Sequence, residues 1–223
     1  MNSEIHHELG QIVAQLKNHL RYHKELGITT LFSQQKTTDF LTLDDIRREI
    51  GDCTRCRLHE GRNHVVFGEG NPHAALVFVG EGPGREEDLQ GKPFVGRAGE
   101  LLTRIIEAIE LTRDQVYIAN IVKCRPPNNR DPQPDEIQTC LPFLIKQLEA
   151  IKPRIICCLG AFAAQTLLGT EERISSLRGR FHAYQGARLM PTYHPAFLLR
   201  NPQFKRDVWE DMKMIREEYQ RGK

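Results

Sequence analysis

The chain has 223 residues with 39% apolar and 27% charged side chains, which gives room for one sizeable folded domain with some excess at an end. Its formal net charge of +2 excludes overall charge as a ground for nucleic-acid binding, so such binding would need a local basic patch. No apolar run approaches membrane-spanning length and the polar opening MNSEIHHELG is no secretion signal; a cytoplasmic, reducing compartment is expected, where six cysteines serve metal ligation or catalysis rather than disulfides.

Residues 1–27 read as an amphipathic helix, with Ile5, Leu9, Ile12, Leu16 and Leu20 at helical spacing. Gly27 and the polar stretch TTLFSQQKTTDF break the pattern, so residues 1–40 are expected to form a helical extension and linker ahead of a domain over 41–223. Thr42 or Asp44 can cap the next helix, which runs through Ile46 and Ile50 toward Cys53. The pair Cys53-x2-Cys56 follows, then the basic, histidine-containing segment RLHEGRNHVVFGEG.

Residues 76–96 carry the densest signal. Val77, Phe78 and Val79 form a buried strand; Gly80, Gly82, Pro83 and Gly84 turn the chain; Glu81, Glu86, Glu87 and Asp88 follow closely, and Phe94 stands between Pro93 and Val95. A strand ending in a glycine-rich turn with a carboxylate inside it is how α/β proteins build a site. Next come a helix over 98–110, a strand over 116–123 that contains Asn120, then Cys124 and the proline-rich loop RPPNNRDPQPDE. A helix opening near Asp135 carries Cys140. The apolar strand PRIICCLG holds Cys157 and Cys158 as core residues, and a helix over 161–168 follows it. The strand ARLMPTYHP ends at His194, and a charged helix over 204–219 closes the chain.

Strand–helix units repeated about four times predict a three-layer α/β/α fold with a central, mostly parallel four-stranded sheet. Glu81, Asn120 and His194 each follow a strand, so they are expected to converge at the carboxyl ends of the sheet. Cys53, Cys56, Cys124 and Cys140 remain as a four-thiolate set, suited to tetrahedral zinc or to a [4Fe–4S] cluster; spacing alone leaves both open.

The motifs GEGPGREED (80–88), GKPFVGRAG (91–99), NIVKCRPPNNRDP (120–132) and HPAFLLR (194–200), with the four cysteines, resemble those of the iron–sulfur, family 4 uracil-DNA glycosylases across residues 43–213. The resemblance implies a base-excision-repair enzyme that removes uracil from DNA, with a structural [4Fe–4S] cluster on Cys53, Cys56, Cys124 and Cys140. It implies that Asn120 reads uracil and that Phe94 stacks on the flipped base. Gly80, Glu81 and Gly82 would border the pocket, and Glu87 would guard C5 against thymine. His194 is expected to donate toward uracil O2, and Glu81 to orient the attacking water and offset positive charge on the sugar.

Phe197, Leu198 and Leu199, with Arg200 behind them, suit a wedge into the base stack. Lys123, Arg125, Arg130, Arg178, Arg180 and Arg200 are expected to form a phosphate-binding face. A monomer acting on single- or double-stranded uracil-containing DNA is expected, with no membrane and no nucleotide cofactor. Three other readings compete. A related class traps itself covalently through a His in the loop after the third motif, and RPPNNRDPQPDE has none. A cluster-bearing, non-catalytic DNA-binding accessory module is the second. A dinucleotide-binding enzyme is the third, and glycines at 80, 82 and 84 do not make its G-x-G-x-x-G.

Overall fold

The computed structural model describes residues 41–221; the expected helix over 1–27 and the extension over 1–40 lie outside the described residues. Six described strands form one sheet, the four central ones from apolar runs bounded by turn residues. They are β1 (Glu69–Gly70), β2 (Leu76–Gly80), β3 (Tyr117–Asn120), β4 (Ile155–Leu159), β5 (His182–Tyr184) and β6 (Ala187–Thr192), in the spatial order β1-β3-β2-β4-β6-β5. The four expected strands form the parallel centre. The sheet is six-stranded rather than four-stranded, because β1 and β5 add antiparallel edges. At two and three residues these edges are too short to show any periodicity in the sequence.

Eight helices are described: α1 (Leu43–Ile50), α2 (Arg85–Gln90), α3 (Arg97–Ala108), α4 (Pro134–Ile151), α5 (Ala161–Leu168), α6 (Ile174–Leu177), α7 (Pro195–Arg200) and α8 (Lys205–Arg221). Successive strand residues point to opposite faces, and the core divides accordingly. Leu76 and Phe78 of β2, with Ile155 and Cys157 of β4, pack against Leu102 and Ile106 of α3 and Met212 and Ile215 of α8. Val77, Val79, Ile156 and Cys158 pack against Leu144 and Leu148 of α4 and Ala163 and Ala164 of α5. Both central cysteines are fully buried core residues, as expected. Phe78 is wholly buried between sheet and helix, and such a side chain contributes about 2–3 kcal/mol by leaving water.

A third, smaller cluster positions the first cysteine pair. Thr42 caps α1 in a reciprocal box with Asp45, and Ile46 and Ile50 pack on Phe67 and on Phe143 of α4. The segment after α1 is thereby held beside the helix that carries Cys140. No described helix is long and apolar enough to cross a membrane.

Candidate active site

Strands β2 and β3 run parallel in a register that sets Gly80 opposite Asn120 at their carboxyl ends. The pairing continues past both ends, with Ile121 N–H donating to the Gly80 carbonyl at 2.9 Å and Val122 N–H to that of Glu81 at 3.1 Å. Beyond that point β2 leads to helices on one face and β3 to α4 on the other, so the chain parts and leaves a crevice. A cavity of about 430 Å³ opens there, lined by Glu81, Glu87, Phe94, Asn120, His194 and Arg200 among others. The three expected strand-end residues do converge.

Asn120 is 1% exposed, and its Oδ1 is the one buried side-chain oxygen or nitrogen among the described residues without a hydrogen-bond partner. A buried acceptor left open costs about 1–3 kcal/mol, which a ligand N–H would recover. Phe94 borders the same cavity with its backbone at φ +53°, a conformation unusual for a bulky side chain. Two glycines permit this. A Cβ on Gly80 would lie 2.5 Å from Asn120 Oδ1 and 2.6 Å from Phe94 Cζ, and one on Gly99 would lie 1.9 Å from the Phe94 carbonyl oxygen. Glu87 braces the loop from the other side: its Oε1 accepts from the N–H groups of Val95 at 3.0 Å and Gly96 at 2.9 Å.

His194 caps α7. Its Nδ1 accepts from the Ala196 N–H at 3.0 Å, which leaves the proton on Nε2, and its ring stands 5.6 Å from that of Phe94. Burial, reinforced by Arg200 and opposed by Glu87, pulls its pKa down to about 4. The imidazole is therefore neutral throughout the physiological range and can donate through Nε2. Burial, with Asp131 as a like charge, pushes Glu81 up to about 7. Asp131 and Asn129 also line the cavity. Sequence reasoning passed over both, since nothing in a proline-rich loop says which residue faces inward.

Several expected DNA contacts need correction. Lys123 is 2% exposed, with its ammonium donating to the Asn120 carbonyl at 2.8 Å and to Gln147 Oε1 at 2.6 Å, so it cannot meet a phosphate. Leu198 is 1% exposed and belongs to the core, because α7 turns it inward; Leu199 alone of the apolar tip stands out. Phe197 is partly buried and stacks on Tyr193 at 5.0 Å. Both terminal nitrogens of Arg130 are taken by Glu136, at 2.8 and 2.6 Å. Arg178 is turned into the protein, with its fork on the buried Asp211, which also accepts from Thr192 at 2.6 Å. Arg180 and Arg200 are exposed, and Arg125 contacts Asn129 at the surface.

Cys53, Cys56, Cys124 and Cys140 line one small second cavity, closed by Ile50, Val65 and Phe143. Three sulfurs accept hydrogen bonds: Cys53 from Arg55 Nη1 at 3.3 Å, Cys124 from Arg62 Nη1 at 3.4 Å and Cys140 from the Lys123 N–H at 3.2 Å. Such donors favour thiolates. Burial otherwise raises the pKa of Cys56, Cys140 and Cys124, the last to about 11, so ionisation here calls for a cation. Among the described residues no group of three His, Cys, Asp or Glu is gathered closely enough to hold a single metal ion.

Fold and pocket together define an α/β enzyme with its site at the carboxyl ends of a parallel sheet. The family model for the uracil DNA glycosylase superfamily matches residues 67–213. Over 184 residues the chain is 47% identical to the type-4 uracil-DNA glycosylase of Archaeoglobus fulgidus, covering 79% of this chain and 92% of that one. It is 46% identical over 184 residues to that of Saccharolobus solfataricus, covering 78% and 85%. Against that of Thermotoga maritima it is 46% identical over 174 residues, covering 76% and 91%. The chain belongs to the uracil DNA glycosylase superfamily, in its type-4 branch.

Proposed function

We infer that this pocket hydrolyses the N-glycosidic bond of deoxyuridine in DNA, releasing uracil and leaving an abasic site for repair. The observation that carries the reading is the open, buried Oδ1 of Asn120 facing the cavity beside Phe94. A base within a duplex is out of reach, so the nucleotide must be turned out of the stack at a cost of a few kcal/mol. Oδ1 then accepts from uracil N3–H while the Asn120 amide donates to O4. Cytosine presents the reverse pattern and would leave both groups buried and unpaired, a penalty of about 1–3 kcal/mol for each. Phe94 supplies a stacking face, and Glu87 stands where it can oppose a 5-methyl group while it holds the Phe94 loop.

As the bond from C1′ to N1 breaks, its electron pair passes to uracil, whose charge gathers on O2, and the sugar acquires oxocarbenium character. The neutral His194 donates Nε2–H to that oxygen without itself carrying charge. The Glu81 carboxylate orients a water toward C1′, receives its proton and offsets the positive charge on the sugar. Its pKa, raised to about 7 by burial and Asp131, brings its titration into the neutral range. Leu199 fills the gap left in the stack, and Arg125 and Arg200 face the backbone phosphates.

Four cysteines lining one small cavity, three of them with hydrogen-bond donors on sulfur, suit a four-thiolate centre, and the resemblance of the chain's motifs to the iron–sulfur, family 4 enzymes favours a [4Fe–4S] cluster over a single zinc ion. Such a group would tie the segment after α1 to the loop after β3 and to α4; it would supply structural bracing and take no part in the chemistry.

A single-turnover assay with oligonucleotides containing uracil, hypoxanthine, thymine or cytosine tests the reading. Release of uracil with no release of thymine or cytosine is expected, in single- and double-stranded DNA. Protein containing iron and sulfide that frees no uracil would overturn it. A protein–DNA band that survives denaturant would point instead to covalent trapping.

A further inference from the structure

Lys123 stands where the two sites meet. It is 2% exposed, and its ammonium has neutral oxygen partners: the carbonyl of Asn120 at 2.8 Å and Oε1 of Gln147 at 2.6 Å. Gln147 is fixed in turn, its amide donating to the Phe67 carbonyl at 2.9 Å and to the Tyr117 hydroxyl at 3.3 Å. No described carboxylate pairs with this ammonium. A buried lysine head group must be held by hydrogen bonds, so its two oxygen partners and its own backbone are fixed against one another. The same residue reaches the cysteine centre. Lys123 lines the cysteine cavity, precedes Cys124 directly, and gives its own N–H to Cys140 Sγ at 3.2 Å. Its carbonyl accepts from Val66 N–H at 2.7 Å, so the peptide units on both sides of it are tied down.

We propose that Lys123 is a positioning residue that links the four-cysteine centre to the uracil-reading amide: its backbone is held by Cys140 and Cys124, and its side chain fixes the main chain that aims Asn120. The proposal rests on the reading of Asn120 and of the cysteines given above. It makes the base-reading geometry depend on the state of the cysteine centre, although that centre performs no chemistry.

The test uses Lys123→Met, similar in length but uncharged, alone and combined with Asn120→Ala. The single-turnover rate of Lys123→Met at saturating DNA is expected to fall about tenfold or more, with affinity for uracil-free DNA unchanged. In the Asn120→Ala background the same change should add little, because the two residues act as one unit. The visible absorption of the iron-loaded protein should shift or weaken, a readout that does not depend on turnover. If the two rate losses multiply independently, or if rate and absorption both stay as in the parent, the proposal is overturned. Should Lys123→Met fail to fold, Lys123→Arg keeps the charge but displaces it from the Asn120 carbonyl, and the same readouts decide. A parent protein without iron, or an Asn120→Ala variant at full rate, would defeat the reading beneath the proposal, and the two results tell those failures apart.

Discussion

Gly80 and Asn120 face each other at the ends of neighbouring parallel strands, so close that a single methyl group on Gly80 would lie 2.5 Å from the Asn120 Oδ1. The same methyl would meet Phe94 Cζ at 2.6 Å. Gly80→Ala must therefore push the amide, the aromatic ring or both out of place. Displacements near 1 Å cost about 10²-fold in rate at a reacting centre, and a loss of that size is expected in single-turnover uracil release. Stability should fall by only about 1–3 kcal/mol, because the ring borders an open cavity into which it can shift. Thermal unfolding beside the kinetics checks both halves; an alanine variant with parental rate would remove Asn120 and Phe94 from base recognition.

Glu81 gives the pH dependence its sign. Its pKa stands raised to about 7 from an ordinary value of 4.5, with burial the larger cause and Asp131 the second. In the proposed mechanism the active form is the carboxylate, so the rate should climb as pH passes from 6 to 8. His194, already neutral above about 4, adds no second step in that range. Stability runs the other way. Below pH 4.5 both folded and unfolded chains hold the proton; between 4.5 and 7 the unfolded chain releases it first, so folding loses stability as pH rises through that window. Glu81→Gln should thus abolish most activity, flatten the rate profile and raise stability above pH 7 by about 1–3 kcal/mol. Asp131→Asn should shift the rising limb to lower pH. Full single-turnover cleavage by Glu81→Gln would end the water-orienting assignment.

The parallel centre of the sheet and the residues at its strand ends were legible because apolar runs bounded by Gly, Pro and Asn announce both. Other features depend on contacts remote in sequence. A lysine just past a strand reads as surface, yet Lys123 turns inward because the residues before it continue the β2–β3 pairing and deliver its ammonium to Gln147. Leu198 and Leu199 look alike in HPAFLLR. Only a helix at 195–200, one turn and a half long, sends the first into the core and the second to solvent. Arg178 belongs to no motif and is turned inward by an aspartate 33 positions away. Asp131 carries no local signal either; it matters because the loop after β3 folds back toward Glu81.

Glu87 holds the Phe94 loop and is proposed to oppose a 5-methyl group, and mutation can separate the two. Its Oε1 holds the N–H groups of Val95 and Gly96, and those bonds fix the loop in which Phe94 keeps a positive φ. Glu87→Ala leaves both donors open and frees the loop, so part of the stacking on the flipped base, worth about 1–3 kcal/mol, should be lost. The expected result is weaker binding of uracil-containing DNA by about tenfold, with Glu87→Gln recovering part of it through its remaining carbonyl oxygen. Its second duty, against thymine, would appear as thymine release by Glu87→Ala. Thymine left intact beside weakened uracil binding would assign Glu87 to the loop alone.

The cysteines divide into two chemistries that one pair of substitutions distinguishes. Cys140 lines the four-sulfur cavity and accepts from the Lys123 N–H, whereas Cys158 lies on β4 facing Ala163 and other apolar neighbours. Cys140→Ala should lose iron, acid-labile sulfide and visible absorption. Unfolding should then occur at a markedly lower temperature, because α4, the segment after α1 and the loop after β3 are no longer tied together. Cys158→Ala removes one buried sulfur and leaves a small void, with an expected cost of about 1 kcal/mol and full iron content. Chelation of the parent protein should reproduce the first outcome and leave the second variant no more sensitive than the parent. Equal iron content in the two variants would place the metal elsewhere, and zinc in place of iron would make the four-sulfur cavity a single-ion site.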